Sequence, residues 1–254
     1  MSIVAVIPAR YASTRFPGKL LAKATGKYLI QHVYERVCSC PAIERVIIAT
    51  DDERISRAAR EFSADCVMTR PDHRCGTDRI AEVAASLSDE IIINVQGDEP
   101  DIAPEALEAL IGSLRGQAEP KMATLARTFG PGEDPRDPNM VKVVLDEKGY
   151  ALYFSRSVIP YCRAAPDGLA RSGEYLLHLG VYGYRRDFLL EFAAMRPSSL
   201  ETLEKLEQLR ALQAGIPIAI SIVSYHGRGI DTPAEYAAWV ASRKPSTPVA
   251  QEKD

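Results

Sequence analysis

The chain opens on Ser2–Pro8 (SIVAVIP), a run that is apolar and β-branched almost throughout and stops at a proline. A strand that is apolar on both faces, with no alternation, predicts burial from both sides, as in a parallel sheet. Glu44–Thr50, Asp65–Thr69 and Asp89–Gln96 repeat the style. Between them the apolar positions switch to helical spacing. Leu29, Ile30, Val33 and Val37 share one face of a segment from Tyr28 to Ser39, and further helices are predicted over Asp52–Phe62 and Thr77–Leu87. Strands alternating with helices of about ten residues predict βαβ units and an α/β fold.

After residue 120 the pattern changes. Met122–Thr128, Val141–Leu145, Leu152–Phe154, His178–Tyr184 and Ile218–Val223 read as strands, separated by only two strong helical patterns, Arg186–Met195 and Leu200–Ala214. Ser198 with Glu201 three residues on is a capping-box signature for the second of these, and Gly215 closes it. The segments 131–138 and 163–173 are loops rich in proline, glycine and charge. The expected architecture is a single domain over 1–242. Its mostly parallel, Rossmann-like sheet has helices on both faces, and a smaller mixed lobe follows from 121. The polar, two-proline stretch 243–254 is expected to be a disordered tail.

Composition narrows the class. At 254 residues, 46% hydrophobic and 26% charged, the chain can bury a core without staples. A net charge of −3 argues against nucleic acid as a partner, yet residues 1–40 carry six basic groups against one acid. That local excess predicts an anion site near the amino end, with a solvated basic face as the plainer alternative. Five cysteines is an odd count, and Cys38-Ser39-Cys40 lacks the spacing of a zinc knuckle or redox pair, so free thiols in the cytoplasm are expected. No run is long enough for a membrane span, and no signal peptide precedes the first strand pattern.

Candidate chemistry gathers where strands end. The first strand runs into PARYASTRFPGK, residues 8–19, which offers Arg10, Arg15 and Lys19, the hydroxyl of Ser13, and small residues such as Ala9 that admit a phosphate closely. Ligands of open α/β sheets bind beyond such strand ends, and arginine forks and lysine charges suit phosphate oxygens. The loop is neither a P-loop nor a dinucleotide fingerprint, which disfavours a dinucleotide-dependent oxidoreductase. The fourth strand delivers Gln96-Gly97-Asp98-Glu99-Pro100 to the same edge, and Asp231 stands in Gly229-Ile230-Asp231-Thr232-Pro233. Two carboxylates with substrate phosphates would suffice for Mg²⁺. The plainer alternatives are a turn at Asp98 and a helix cap at Asp231 or Thr232.

The ordered set PARYASTRFPGK, TRPDHRCGTDR, NVQGDEP, NMVKVVLDEKGYALYFSRSVIP, HLGVYGYR, LEKLEQLR and GIDTP resembles the 3-deoxy-manno-octulosonate (Kdo) cytidylyltransferases, the CMP-Kdo synthetases, over roughly residues 2–240. The resemblance implies transfer of CMP from CTP to an acidic sugar, with Mg²⁺ as cofactor, in a cytoplasmic homodimer paired through the second lobe. It assigns Ala9, Arg10, Ser13, Arg15, Lys19, Arg70, Gly76 and Asp98 to the nucleotide half, 1–120. Arg10, Lys19, Asp98 and Asp231 become catalytic groups, the two aspartates as metal ligands. Gln96, Arg156, His178, Tyr182, Glu207 and Gln208 fall to the sugar pocket. Cys75 stands where many relatives have serine, and Tyr28 where they often have proline. A related acid sugar as substrate, or a silent nucleotide-binding regulator, are the competing expectations.

Overall fold

In β1 (Ile3–Ala9) alternate residues feed two different cores. Ile3, Ala5 and Ile7 face one apolar cluster, and Val4 and Val6 face another. The strand is therefore covered on both sides, as its unbroken apolar run predicts. It pairs in parallel with β2 (Arg45–Thr50) and β4 (Ile91–Asn94), and β2 pairs in parallel with β3 (Asp65–Met68). The computed structural model describes residues 1–115, 120–165, 168–225, 227 and 229–243.

The remaining strands join the same sheet. β5 (Met122–Thr128), β8 (Leu176–Arg185) and β9 (Ile218–Ile222) extend it in the order β3-β2-β1-β4-β8-β5-β9. A hairpin of β6 (Lys142–Leu145) and β7 (Ala151–Ser155) attaches through β8. On that seven-strand path only β8 runs antiparallel to its neighbours, and it sits between β4 and β5. The second lobe thus continues the sheet of the first.

Three helices pack on one face: α1 (Leu29–Cys38), α2 (Glu53–Glu61) and α4 (Pro104–Gly112). The other face takes α3 (Gly76–Ala85), α5 (Arg186–Ala194) and α7 (Leu209–Gln213). No sequence expectation covered α4, although Pro104 at its first turn and apolar Leu107, Leu110 and Ile111 carry the signal. α8 (Pro233–Ser242) closes a small third cluster of Leu29, Ile230, Tyr236 and Trp239. Among the described residues no helix is long and apolar enough to cross a membrane, and all five cysteines are free.

One predicted helix is corrected. Leu200–Ala214 is two short helices, α6 (Ser199–Glu204) and α7, with Lys205 left-handed at φ 53° between them. The capping box of Ser198 and Glu201 forms as expected. The break has a tertiary cause: the Arg156 guanidinium donates to the carbonyls of Glu204 (2.7 Å) and Lys205 (3.3 Å), oxygens at the junction of the two helices. A second correction is small. Arg243 caps α8 and lies over the Trp239 ring, so it belongs to the helix; the rest of the expected tail, 244–254, lies outside the described residues.

Candidate active site

The basic loop leaves β1 at the carboxyl edge of the sheet and folds back on itself. Gly18 adopts a left-handed φ of 70°, where a Cβ would lie 3.1 Å from the Tyr11 hydroxyl. Any side chain there would be strained and crowded, so glycine is required. The turn delivers Lys19 into a short 3₁₀ segment with Leu20 buried beside it. On the other side, Gly76 begins α3 against the end of β1, where a Cβ would meet Pro8 at 3.3 Å. The amino end of α3 thereby reaches the cleft with its partial positive charge. Arg10 ties the two sides together, donating to the carbonyls of His73 (2.7 Å) and Arg74 (3.3 Å).

The cleft so formed has a volume of about 380 Å³, and Arg10, Ser13, Arg15, Lys19, Gly76, Gln96 and Asp98 line it. Sequence positions spread over ninety residues thus meet at one strand edge. Lys19 is the centre of charge. Its Nζ donates to Asp98 Oδ2, to Asp231 Oδ1 at 3.0 Å and to the Ile230 carbonyl at 3.0 Å. Arg15 pairs with the other oxygen of Asp231, Oδ2, at 2.8 Å. Burial alone would pull the Lys19 ammonium down, but the charges and hydrogen bonds of Asp98 and Asp231 outweigh it and hold the pKa above its ordinary value. Glu99, next in sequence, is pushed up to about 8 by burial and by the Asp98 charge, so it is mostly protonated at neutral pH.

Asp231 is not the helix cap. Thr232 Oγ1 accepts from the Glu235 amide at 3.2 Å, and Glu235 returns the bond to the Thr232 amide at 2.8 Å. The Asp231 carboxylate is free of that duty and turns to Lys19 and Arg15. Among the described residues no three His, Cys, Asp or Glu side chains form a metal cluster. A convergent pair of carboxylates is nonetheless what Mg²⁺ uses when phosphates complete its shell, whereas a structural zinc needs a fuller set. The residues present fit Mg²⁺ arriving with a polyphosphate.

Of the sugar candidates, Gln96 lines the cleft and the others lie beyond it. His178 and Tyr182 lie on β8 with ring centroids 5.5 Å apart, and Phe154 meets the imidazole edge-on at 4.9 Å. Burial pushes His178 down to about 3, so the ring is neutral. Thr124 Oγ1 lies 2.7 Å from the Val181 carbonyl and donates to it. It therefore accepts from His178 Nε2, 3.1 Å away, an assignment that leaves Nδ1 as an acceptor. Gln96 donates to the Gly180 carbonyl at 3.4 Å. Glu207 lines a second hollow of about 490 Å³ with Arg74, Cys75, Lys205 and Arg210. It accepts from Thr77 Oγ1 (2.8 Å) and Cys75 Sγ (3.2 Å), while burial holds its pKa up. Cys75 and Thr77 flank Gly76, so the wall between cleft and hollow is one turn of chain. Gln208 is buried below, and its Nε2 has no hydrogen-bond partner among the described residues.

Neither Arg70 nor Arg156 lines the cleft or the second hollow, nor do His178, Tyr182 and the buried Gln208. Arg70 lies outside both, its side chain 68% exposed beside Asp72 and Glu82. Arg156 is turned to backbone carbonyls, with Pro138 O (2.7 Å) added to those of Glu204 and Lys205. Sequence reasoning missed the residues that hold Arg156: Glu204, which accepts from Ser155 Oγ (2.6 Å) and the Arg156 amide (2.9 Å), and buried Lys142, which donates to the carbonyls of Arg156 (2.6 Å) and Asp137 (3.2 Å). An acid inside LEKLEQLR and a lysine amid KVVL were the only signals. Arg79 is buried on Asp51 and Thr69 and serves the fold.

What this edge can do is grip a polyphosphate by its oxygens while a carboxylate pair meets the cation that travels with it, which is the work of a nucleotidyltransferase. A family profile described as Cytidylyltransferase matches residues 4–220. The 3-deoxy-manno-octulosonate cytidylyltransferase of Pelobacter propionicus is 54% identical over 92% of this chain and 94% of its own length. Its namesake in Geobacter sulfurreducens is 49% identical over 92% and 96%. A solved structure described as CMP:2-keto-3-deoxy-manno-octonic acid synthetase complexed with CTP superposes with a TM-score of 0.89 at 44% identity, over 95% of this chain and 98% of that one. The chain belongs to the 3-deoxy-manno-octulosonate cytidylyltransferase family.

Proposed function

We propose that the chain joins CMP from CTP to the anomeric hydroxyl of Kdo in the cytoplasm, activating the sugar for lipopolysaccharide synthesis. The hydroxyl oxygen bonds to the α-phosphorus and gives its proton to solvent, the bond from that phosphorus to the bridging oxygen breaks, and pyrophosphate leaves. The observation that carries the reading is the meeting of Asp98, Asp231, Lys19 and Arg15 at one strand edge, in a chain matched by Kdo cytidylyltransferases over 92% of its length.

The barrier of such a transfer is charge and positioning. Lys19 and Arg15 neutralise phosphate oxygens of the leaving group, and Arg10 fixes the loop that carries them. Ala9 and the turn at Gly76 border the nucleoside, with the Gly76 amide at the helix end taking a phosphate oxygen. Asp98 and Asp231 hold Mg²⁺, which when bound supplies Lewis-acid neutralisation of phosphate charge. On the sugar side, neutral His178 accepts from a hydroxyl through Nδ1, while Glu207, Tyr182 and Gln96 offer further polar contacts. Arg156 and Gln208 shape that side from behind.

A homodimer paired through the second lobe suits the apolar surface. Among the described residues, four of the six large hydrophobic side chains found exposed, Leu152, Tyr161, Leu203 and Ile222, lie beyond residue 120. The test of the whole reading is incubation with CTP and Mg²⁺ plus Kdo, an amino-substituted octulosonate or a sialic acid, following pyrophosphate. Release with Kdo at a kcat/KM well above the other sugars is expected. Release with none of them, from folded protein, overturns it.

A further inference from the structure

Among the described residues no side chain of α8 lines the cleft, yet the helix touches each segment that brings Lys19, Asp98 and Asp231 together. Its two buried side chains, Tyr236 and Trp239, divide the task. Tyr236 holds the basic side. Its ring packs on Phe16, which stands between Arg15 and Lys19, with centroids 5.7 Å apart, and its hydroxyl accepts from the Ala24 amide at 2.8 Å. Trp239 holds the acidic side. A buried indole has one polar atom, a donor, and needs an acceptor; Nε1 donates to Asp101 Oδ2 at 2.9 Å, in the turn that carries Asp98. The His32 ring meets the indole edge-on at 4.9 Å and keeps it in place. A second bond joins the same two stretches of chain, from the Ile230 amide to the Asp98 carbonyl at 2.9 Å. One tether sets a distance and leaves a rotation. Two fix the Asp98 turn against the helix that Asp231 leads into.

We propose that Trp239 is a positioning residue of the transfer: through Asp101 it fixes the spacing of Asp98 and Asp231, and with it the pose in which Lys19 and Arg15 meet the phosphates. The inference rests on the reading of these four charged groups as the ones that engage CTP and its cation. Lys19 stands at the meeting point, donating to Asp98, Asp231 and the Ile230 carbonyl, so a slip of the Asp98 turn along α8 is felt at its ammonium. A misplacement of about 1 Å can cost about 10²-fold in rate. His178 and Tyr182 are held instead by the pairing of β8 with β4 and β5, so the effect belongs to the nucleotide side. The capping box of α8 lies within the first turn of the helix and is separate from both tethers.

The test is Trp239→Phe, which keeps a ring and loses the donor. kcat should fall about tenfold, the calorimetric Kd for CTP without metal should weaken about threefold, and KM for the sugar should not change. A lower Tm with kcat and CTP affinity equal to wild type, measured well below either Tm, makes the bond merely structural and overturns the proposal. Asp101→Ala should match Trp239→Phe, and the double variant should be no worse than either, because both remove one bond; additive losses also overturn it. Asp101 pairs with Arg243 as well. Asp101→Asn drops that charge pair and keeps an oxygen for the indole, so it should stay near wild type. A loss as large as that of Asp101→Ala assigns the effect to the charge pair and removes Trp239 from the role. If circular dichroism shows Trp239→Phe unfolded, the two Asp101 variants carry the same decision. A wild type that releases no pyrophosphate overturns the proposed function instead; an active wild type with an unaffected Trp239→Phe overturns this inference alone.

Discussion

Asp231 and Thr232 are adjacent and do different work, and substitution should separate them. Thr232 holds the capping box of α8, so Thr232→Ala should cost about 1 kcal/mol of stability with kcat nearly unchanged. Asp231→Asn keeps the cap and removes a carboxylate charge, so kcat should fall by orders of magnitude while the Tm barely moves. A Tm loss in Asp231→Asn comparable to that of Thr232→Ala would return Asp231 to a capping role. Cys75 offers a second residue-scale test. Burial, then the Glu207 charge, pushes its thiol up to about 12, so it stays a donor to Glu207 while also accepting from the Asp78 amide at the head of α3. Serine can make both bonds, so Cys75→Ser should keep activity within about threefold, whereas Cys75→Ala leaves Glu207 and the helix end each short of a partner worth about 1 kcal/mol. Steady-state KM for the sugar reads the difference.

At the scale of elements, the broken helix matters most. The sequence LEKLEQLR has helical spacing, no glycine and no proline, so nothing local announces a left-handed Lys205. The cause is the Arg156 side chain, about fifty residues away, which no periodicity can reveal. The parallel strands were readable because burial on both faces leaves a local signature, and β5 falls where the pattern put it. The cleft was readable too, since Arg10, Ser13, Lys19 and Asp98 all lie in the segments that follow the ends of β1 and β4. The supports of Arg156 and Glu207 were not, because Glu204, Lys142 and Thr77 look like ordinary helix, strand and cap residues until the fold packs them. Arg156→Ala should therefore lower the Tm and raise the KM for sugar more than that for CTP, by loosening the junction that carries Glu207. Arg156→Lys should rescue neither, since a lysine cannot span three carbonyls in the plane of a guanidinium. Full rescue by lysine would show that charge, not the strap, is what the position supplies.

For the whole molecule, pH acts through His178. Its folded pKa, about 3, lies far below the ordinary value of 6.5 because burial disfavours the charged ring. A depressed pKa means that the stabilising contribution is complete above the unfolded pKa and fades as pH falls from about 6.5 toward 3. Urea unfolding midpoints should thus decline across that window. In His178→Gln, which keeps a polar contact to Thr124 but cannot titrate, the decline should be shallower. Identical slopes in the two proteins would remove His178 as the source. The kinetic profile between pH 6.5 and 8 should show no ionisation from this residue.

The reversed strand between β4 and β5 sets how the molecule can move. Because β8 runs against its neighbours, its early residues project past the end of β4, whose pairing stops at Asn94 and Tyr182, and His178 pairs on the other side with Ala126 of β5. One uninterrupted sheet therefore carries the basic loop and Asp98 on one stretch of its edge and His178 and Tyr182 on the next. Enzymes that trap two substrates between hinged lobes gain closure from rotation about a linker; a continuous ladder of hydrogen bonds gives this chain no such axis. Closure must instead be local, made by the loops that rim the edge while the frame stays still. Hydrogen exchange should report this as slowing confined to residues 10–19, 73–77 and 229–231 when CTP is added. The central strands should exchange as slowly before as after, and small-angle scattering should find the radius of gyration unchanged.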